Sequence, residues 1–128
     1  MDNIKLPASE RSPGIDFNFD DNLFHLKGES YPEDIASFYG DLLQNLGTHF
    51  DSLDGAKINF IFDLIYFNSS TAKVLMNLFE LLDEAGNKND VTVTWNYETD
   101  DDNMEEMGEE FGEDLEHATF ILKEIEIK

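Results

Sequence analysis

Four residues, Asn68-Ser69-Ser70-Thr71, set three alcohols between an apolar run (58–67) and a helically patterned one (74–85). The first turn of a helix has unpaired N–H groups and a partial positive potential. Asn and Ser are its preferred caps, so capping alone accounts for these residue types. The same donors would also receive a phosphate, which adds about −1.5 to −2 charge and three acceptor oxygens. Lys73 lies four residues after Ser69, one helical turn away, where it can balance such a charge. Ser69 is the first candidate acceptor, followed by Ser70 and Thr71. Asn68 is expected to shape and cap the turn. Asp63, in the apolar run, is expected to be structural or a contact for a modifying enzyme. Tyr66 and Phe67, just before the alcohols, are candidates to touch a partner.

Other chemistry has weaker support. His25, His49 and His117 show no zinc-ligand spacing, and no Gly-x-Ser-x-Gly elbow surrounds Ser69. Triads assemble in space, so a small Ser-dependent hydrolase stands as an alternative. There is no phosphate-cradling Gly-rich loop, and 100–103 (Asp-Asp-Asp-Asn) lacks the glycine and closing glutamate of a calcium loop. No metal and no cofactor are expected. With no cysteine, disulfide and thiolate chemistry are excluded, in keeping with a reducing, cytoplasmic setting.

Acidic residues number 29 against 8 basic ones, a net charge of −21. Such a surface repels phosphate backbones and anionic lipids and attracts basic partners, so neither nucleic acid nor membrane is expected. A second alternative follows, an acidic mimic that occupies a basic nucleic-acid-binding site. Glu109, Glu110 and Glu113 belong to a helical pattern that is either a solvated face or a contact face for a basic partner. No apolar leader segment and no eighteen-residue apolar run is visible, which predicts a protein neither secreted nor membrane-spanning.

The elements that would hold these residues can be read from periodicity. Apolar residues make up 41% of the 128, eleven of them Phe, enough for one core. Residues 1–13 read as a flexible lead-in, and 14–128 as a single domain. Ile15, Phe17 and Phe19 alternate with polar residues, a polar turn follows at 20–22, and Leu23 to Lys27 completes a hairpin signature. Ser30-Tyr31-Pro32-Glu33 predicts a capping box opening a helix over roughly 32–50, with Gly47 near its stop. The run 58–67 predicts a central strand buried on both faces. A helix ending at Gly86, a strand over 91–97, an acidic amphipathic helix within 99–116 and a last strand over 119–127 complete the order β-β-α-β-α-β-α-β. This order implies an α/β fold, a mixed sheet with parallel central strands.

Several segments carry a resemblance. The run FDLIYFNSSTAKVL resembles the strand-to-helix signature of STAS domains, the anti-sigma factor antagonist fold, with Asn68 in place of its acid and Thr71 in place of its glycine. A closer similarity is to the SiaC family of bacterial regulatory phosphoproteins. Ser30-Tyr31-Pro32-Glu33 with Phe38 and Gly40 resembles that family's SYPE…(F/Y)G segment. Tyr66 to Ser70 with Lys73 resembles its Y-L-N-(T/S)-S…K segment, and 109–114 (EEFGED) its EEF-x-ED segment. The resemblance implies a STAS-like fold and no catalytic activity. It implies reversible phosphorylation of the residue after Asn68 by a dedicated protein kinase, reversed by a PP2C-type phosphatase. It further implies that the unmodified form binds and activates a diguanylate cyclase, placing the protein in cyclic di-GMP signalling and biofilm regulation.

Overall fold

The structure is a computed structural model and describes residues 2–126. Its elements in chain order are β1 (Ile4–Leu6), β2 (Gly14–Asn18), β3 (Leu23–Ser30), α1 (Ile35–Asp51), β4 (Lys57–Phe67), α2 (Ser69–Ala85), β5 (Asp90–Glu98), α3 (Asp102–Glu113) and β6 (Thr119–Ile125). The six strands form one sheet in the order β1-β2-β3-β4-β5-β6. The first three pair antiparallel, and β3 through β6 pair parallel. Each parallel step needs a crossover, and α1, α2 and α3 supply them in turn.

All three helices cover one face. On β4, Ile58, Phe60, Phe62 and Leu64 are buried, whereas Asn59 and Ile65 are exposed and Ile61 and Asp63 half-buried. The core is aromatic. Phe24, Phe60, Phe62 and Phe79 stack in series with ring centroids 5.8, 4.7 and 5.2 Å apart, which joins β3, β4 and α2. α2 lies between α1 and α3, packing on both. α3 lies close against β5 and β6. A Cβ at Gly108 would run into the Trp95 ring, and one at Gly112 would meet Phe120 at 2.5 Å. Those two glycines let the helix backbone rest directly on aromatic rings.

Four sequence expectations need correction. Ile4–Leu6 is an edge strand paired with 15–17, so the lead-in is partly sheet and the order opens β-β-β. Three residues are too few to display alternation. α1 starts at Ile35, with Asp34 as its cap accepting from the Ser37 N–H at 3.1 Å, and it runs through Gly47 to Asp51. Ser30 is instead the buried last residue of β3, and Glu33 pairs with Arg11. β4 is buried on one face only, because the helices cover one side of the sheet, and its length and aromatic content hide that alternation in the sequence. The last strand ends at Ile125, and Ile127, assigned to it from the sequence, lies outside the described residues.

Candidate functional site

The β4–α2 junction is shaped by a bulge. β3 and β4 stay in register to Gly28↔Leu64, then shift so that Glu29 faces Tyr66 and Ser30 faces Phe67. Ile65 is the extra residue, and Gly28 across from it adopts φ +111°. An inserted residue breaks the in–out alternation. Ile65 and Tyr66 therefore both face solvent, at 51% and 50% exposure, while Phe67 turns inward. Its ring lies 6.1 Å from both Trp95 and Phe111. Tyr66 meets the half-buried Tyr31 edge-on at 5.7 Å, forming an aromatic pair beside the helix start.

Asn68 caps α2. Its backbone is extended (φ −89°, ψ 177°) and its side-chain oxygen accepts from the Thr71 N–H at 2.9 Å. The Asn68 N–H in turn donates to the Ser30 carbonyl at 3.3 Å. Ser69 is the first helical residue and is exposed, as are Ser70 and Lys73. The first turn of α2 carries no acidic residue, so its positive end is not offset locally. Thr71 differs from its neighbours. It is fully buried, and its hydroxyl donates to the Ser30 carbonyl at 3.0 Å. The Ser30 hydroxyl lies 3.0 Å from Thr71 Oγ1 and 2.5 Å from the Tyr39 phenol. Three buried alcohols thus tie the end of β3, the first turns of α1 and the start of α2 together. Burial pushes the Tyr39 phenol up to about 12, against the opposing effect of its Ser30 hydrogen bond.

The structure brings Asn68, Ser69, Tyr66 and Lys73 to one surface. It does not bring Asp63 there. Asp63 sits on the helix-free face of the sheet, bonded to His25 and accepting from Asn96 Nδ2 at 2.7 Å. Phe67 belongs to the packing, not to the surface. Glu109, Glu110 and Glu113 are exposed on α3. Among the described residues no histidine bonds to Ser69: His49 lies 2.7 Å from Asn22, and the His117 N–H donates to Asp83 at 2.7 Å. Sequence reasoning missed the Ser30–Tyr39–Thr71 cluster. One signal was available, since a Tyr on the inner stripe of α1 (Tyr39, Leu42, Leu46) needs a partner for its hydroxyl.

In this one-faced mixed sheet a middle strand delivers a capped, hydroxyl-bearing helix start to solvent. Comparison with known proteins places that arrangement in a class of regulatory α/β proteins. Residues 6–125 match the family described as SiaC family regulatory phosphoprotein, and the chain belongs to that family. An uncharacterised protein of Pseudomonas aeruginosa (strain UCBPP-PA14) is 27% identical over 117 residues, which covers 89% of this chain and 90% of the relative. The fold is similar to that of apo-SiaC from Pseudomonas aeruginosa, with a TM-score of 0.85 at 26% identity, covering 96% of this chain and 99% of the other. It is also similar to a chain in the structure of the diguanylate cyclase SiaD in complex with its activator SiaC, from the same organism. There the TM-score is 0.87 at 24% identity, covering 95% and 99%. Among the described residues no helix is long and apolar enough to cross a membrane.

Proposed function

We propose that this protein is a cytoplasmic switch that binds and activates a diguanylate cyclase when unmodified, and that a phosphate on Ser69 turns the interaction off. The observation that carries the reading is the exposed Ser69 hydroxyl at the first position of α2, with no acid in that turn and Lys73 one turn on. A phosphate there meets N–H donors and a partial positive charge. Ser70 is equally exposed and is the second candidate; Thr71, buried and doubly bonded to Ser30, offers a kinase no access in the folded state. Modification would be written by a protein kinase and removed by a PP2C-type phosphatase. Tyr66 and Tyr31 give the surroundings an apolar contact surface. A partner seated on it would have to desolvate a dianion at Ser69, a cost of several kcal/mol. About 1.4 kcal/mol is tenfold in affinity, so one phosphate is sufficient to abolish a micromolar complex.

The test is affinity for a diguanylate cyclase from the same cell. Ser69→Ala should bind within about twofold of the parent, and Ser69→Asp should bind more than tenfold more weakly. Equal affinity of the two variants would overturn the switch. Phosphate mapped to Ser70 alone in protein from its native cell would move the acceptor by one residue.

A further inference from the structure

The outer surface between α2 and α3 holds a groove of about 250 Å³ lined by Met76, Phe79, Glu80, Asp83, Glu110, Phe111, Asp114 and Leu115. Its floor is apolar and its rim acidic, and no lining residue is cationic. Met76 in that floor is 54% exposed, an unusual position for a large apolar side chain on a surface this rich in charge. The groove flanks the C-terminal halves of both helices, where helix dipoles place partial negative charge. Neither helix has a basic residue in its last turn, so no side chain of that turn offsets the charge.

We infer that this groove is a docking site for an amphipathic helix of a protein partner, with an apolar stripe set on Met76, Phe79, Phe111 and Leu115 and Lys or Arg flanks that meet Glu80, Glu110 and Asp114. Charge complementarity selects the occupant. Four carboxylates and two helix C-termini would repel a neutral-to-acidic segment and attract a basic one, and a crease between two parallel crossover helices suits a third helix. A second copy of the chain, with its net charge of −21, is excluded by the same argument. The groove lies on the same stripe of α2 as Ser69. Residues 69, 73, 76, 80 and 83 fall within an arc of about 80°, and Met76 is about 10 Å along the axis from Ser69. A helix seated in the groove therefore extends toward the acceptor. The inference rests on the proposed function only in requiring a protein partner, and Ser69 need not be the acceptor for the groove to be occupied.

The experiment uses two synthetic peptides of about five helical turns with identical leucine stripes, one flanked by Lys and one by Glu, titrated into the full ¹⁵N-labelled chain. The Lys-flanked peptide should shift amides within 76–83 and 110–115, and the Glu-flanked one should not. Met76→Ser and Asp114→Lys should each weaken the Lys peptide fivefold or more. Asp41→Lys, an equal change of charge on α1, should leave its affinity within twofold. Asp114→Lys places a cation at a helix C-terminus, so its thermal midpoint should not fall, which separates lost docking from lost folding. The inference is overturned by equal binding of the two peptides, by shifts centred away from the groove, or by equal weakening in Asp41→Lys and Asp114→Lys. No kinase, phosphatase or cyclase is present, so a negative result removes the groove and leaves the Ser69 switch to its own test.

Discussion

The alcohols at the head of α2 differ in what their surroundings allow. Ser69 and Ser70 meet solvent, while Thr71 is committed to Ser30 and, through it, to Tyr39. Spacing singled out the three hydroxyls but could not separate them, because one helical turn carries consecutive residues from outside to inside and the phase depends on where the helix is pinned. Ser30 pins it, and nothing in a four-residue capping signature distinguishes a serine that caps the next helix from one that ends a strand. Ser30→Ala would leave the Tyr39 phenol without its buried partner, while the Thr71 hydroxyl keeps its bond to the backbone carbonyl of residue 30, at a cost of about 1–3 kcal/mol in urea unfolding. The phenol adds a pH signature. Its folded pKa, about 12, lies above the usual value of 10, so its stabilising effect is complete below pH 10 and is lost as pH rises from 10 toward 12. Tyr39→Phe should flatten that alkaline loss, and unchanged alkaline unfolding would show that the phenol is not its source.

At the scale of elements, periodicity was a good guide where a segment is long and has one buried stripe. α2 ends at Gly86 as its apolar spacing predicts, and β5 covers the alternating run around Trp95. It failed where geometry depends on a neighbour. The bulge at Ile65 exists only against Gly28, and β1 exists only against β2. α3 shows both sides of this. Its amphipathic pattern is visible in Met104, Met107 and Phe111, but the residues nearest the sheet are glycines, which carry no hydrophobic signal. That packing is tight enough to test. Gly108→Ala improves intrinsic helix propensity by about 0.8–1.0 kcal/mol, yet its methyl would collide with the Trp95 ring. Overpacking of about 1–3 kcal/mol should prevail, so thermal unfolding should move to lower temperature and Trp95 fluorescence should shift. A stabilised variant would mean that α3 can ride up on the sheet at little cost. The Trp95 Nε1–H bond to the Met104 carbonyl, 3.0 Å long, argues against that freedom.

For the whole molecule the governing fact is a net charge of −21 on a 128-residue chain. Self-repulsion on that scale opposes compaction at neutral pH, and protonating carboxylates relieves it. Specific carboxylates set the opposite limit. Burial alone would raise Asp83, but N–H bonds from His117, Ala118 and Glu116, at 2.7–3.0 Å, hold it below the usual carboxylate range. A depressed folded pKa contributes stability that is present above the unfolded value of about 4 and is lost as pH falls through the folded one. These bonds tie the end of α2 to the approach to β6, so their loss loosens the same edge that carries α3. The two effects together predict a maximum below neutrality. The thermal midpoint should rise by several degrees between pH 7 and about pH 5, then fall steeply below pH 4. Adding about 0.3 M NaCl should reproduce much of the rise at pH 7, where screening replaces protonation, and much less of it at pH 5. Asp83→Ala should lower the midpoint at pH 7 and soften the acid limb while leaving the pH 7 to 5 rise intact. A profile that instead peaks at or above pH 7 would mean that the carboxylates are held by paired contacts throughout, and that mutual repulsion is not what limits this fold.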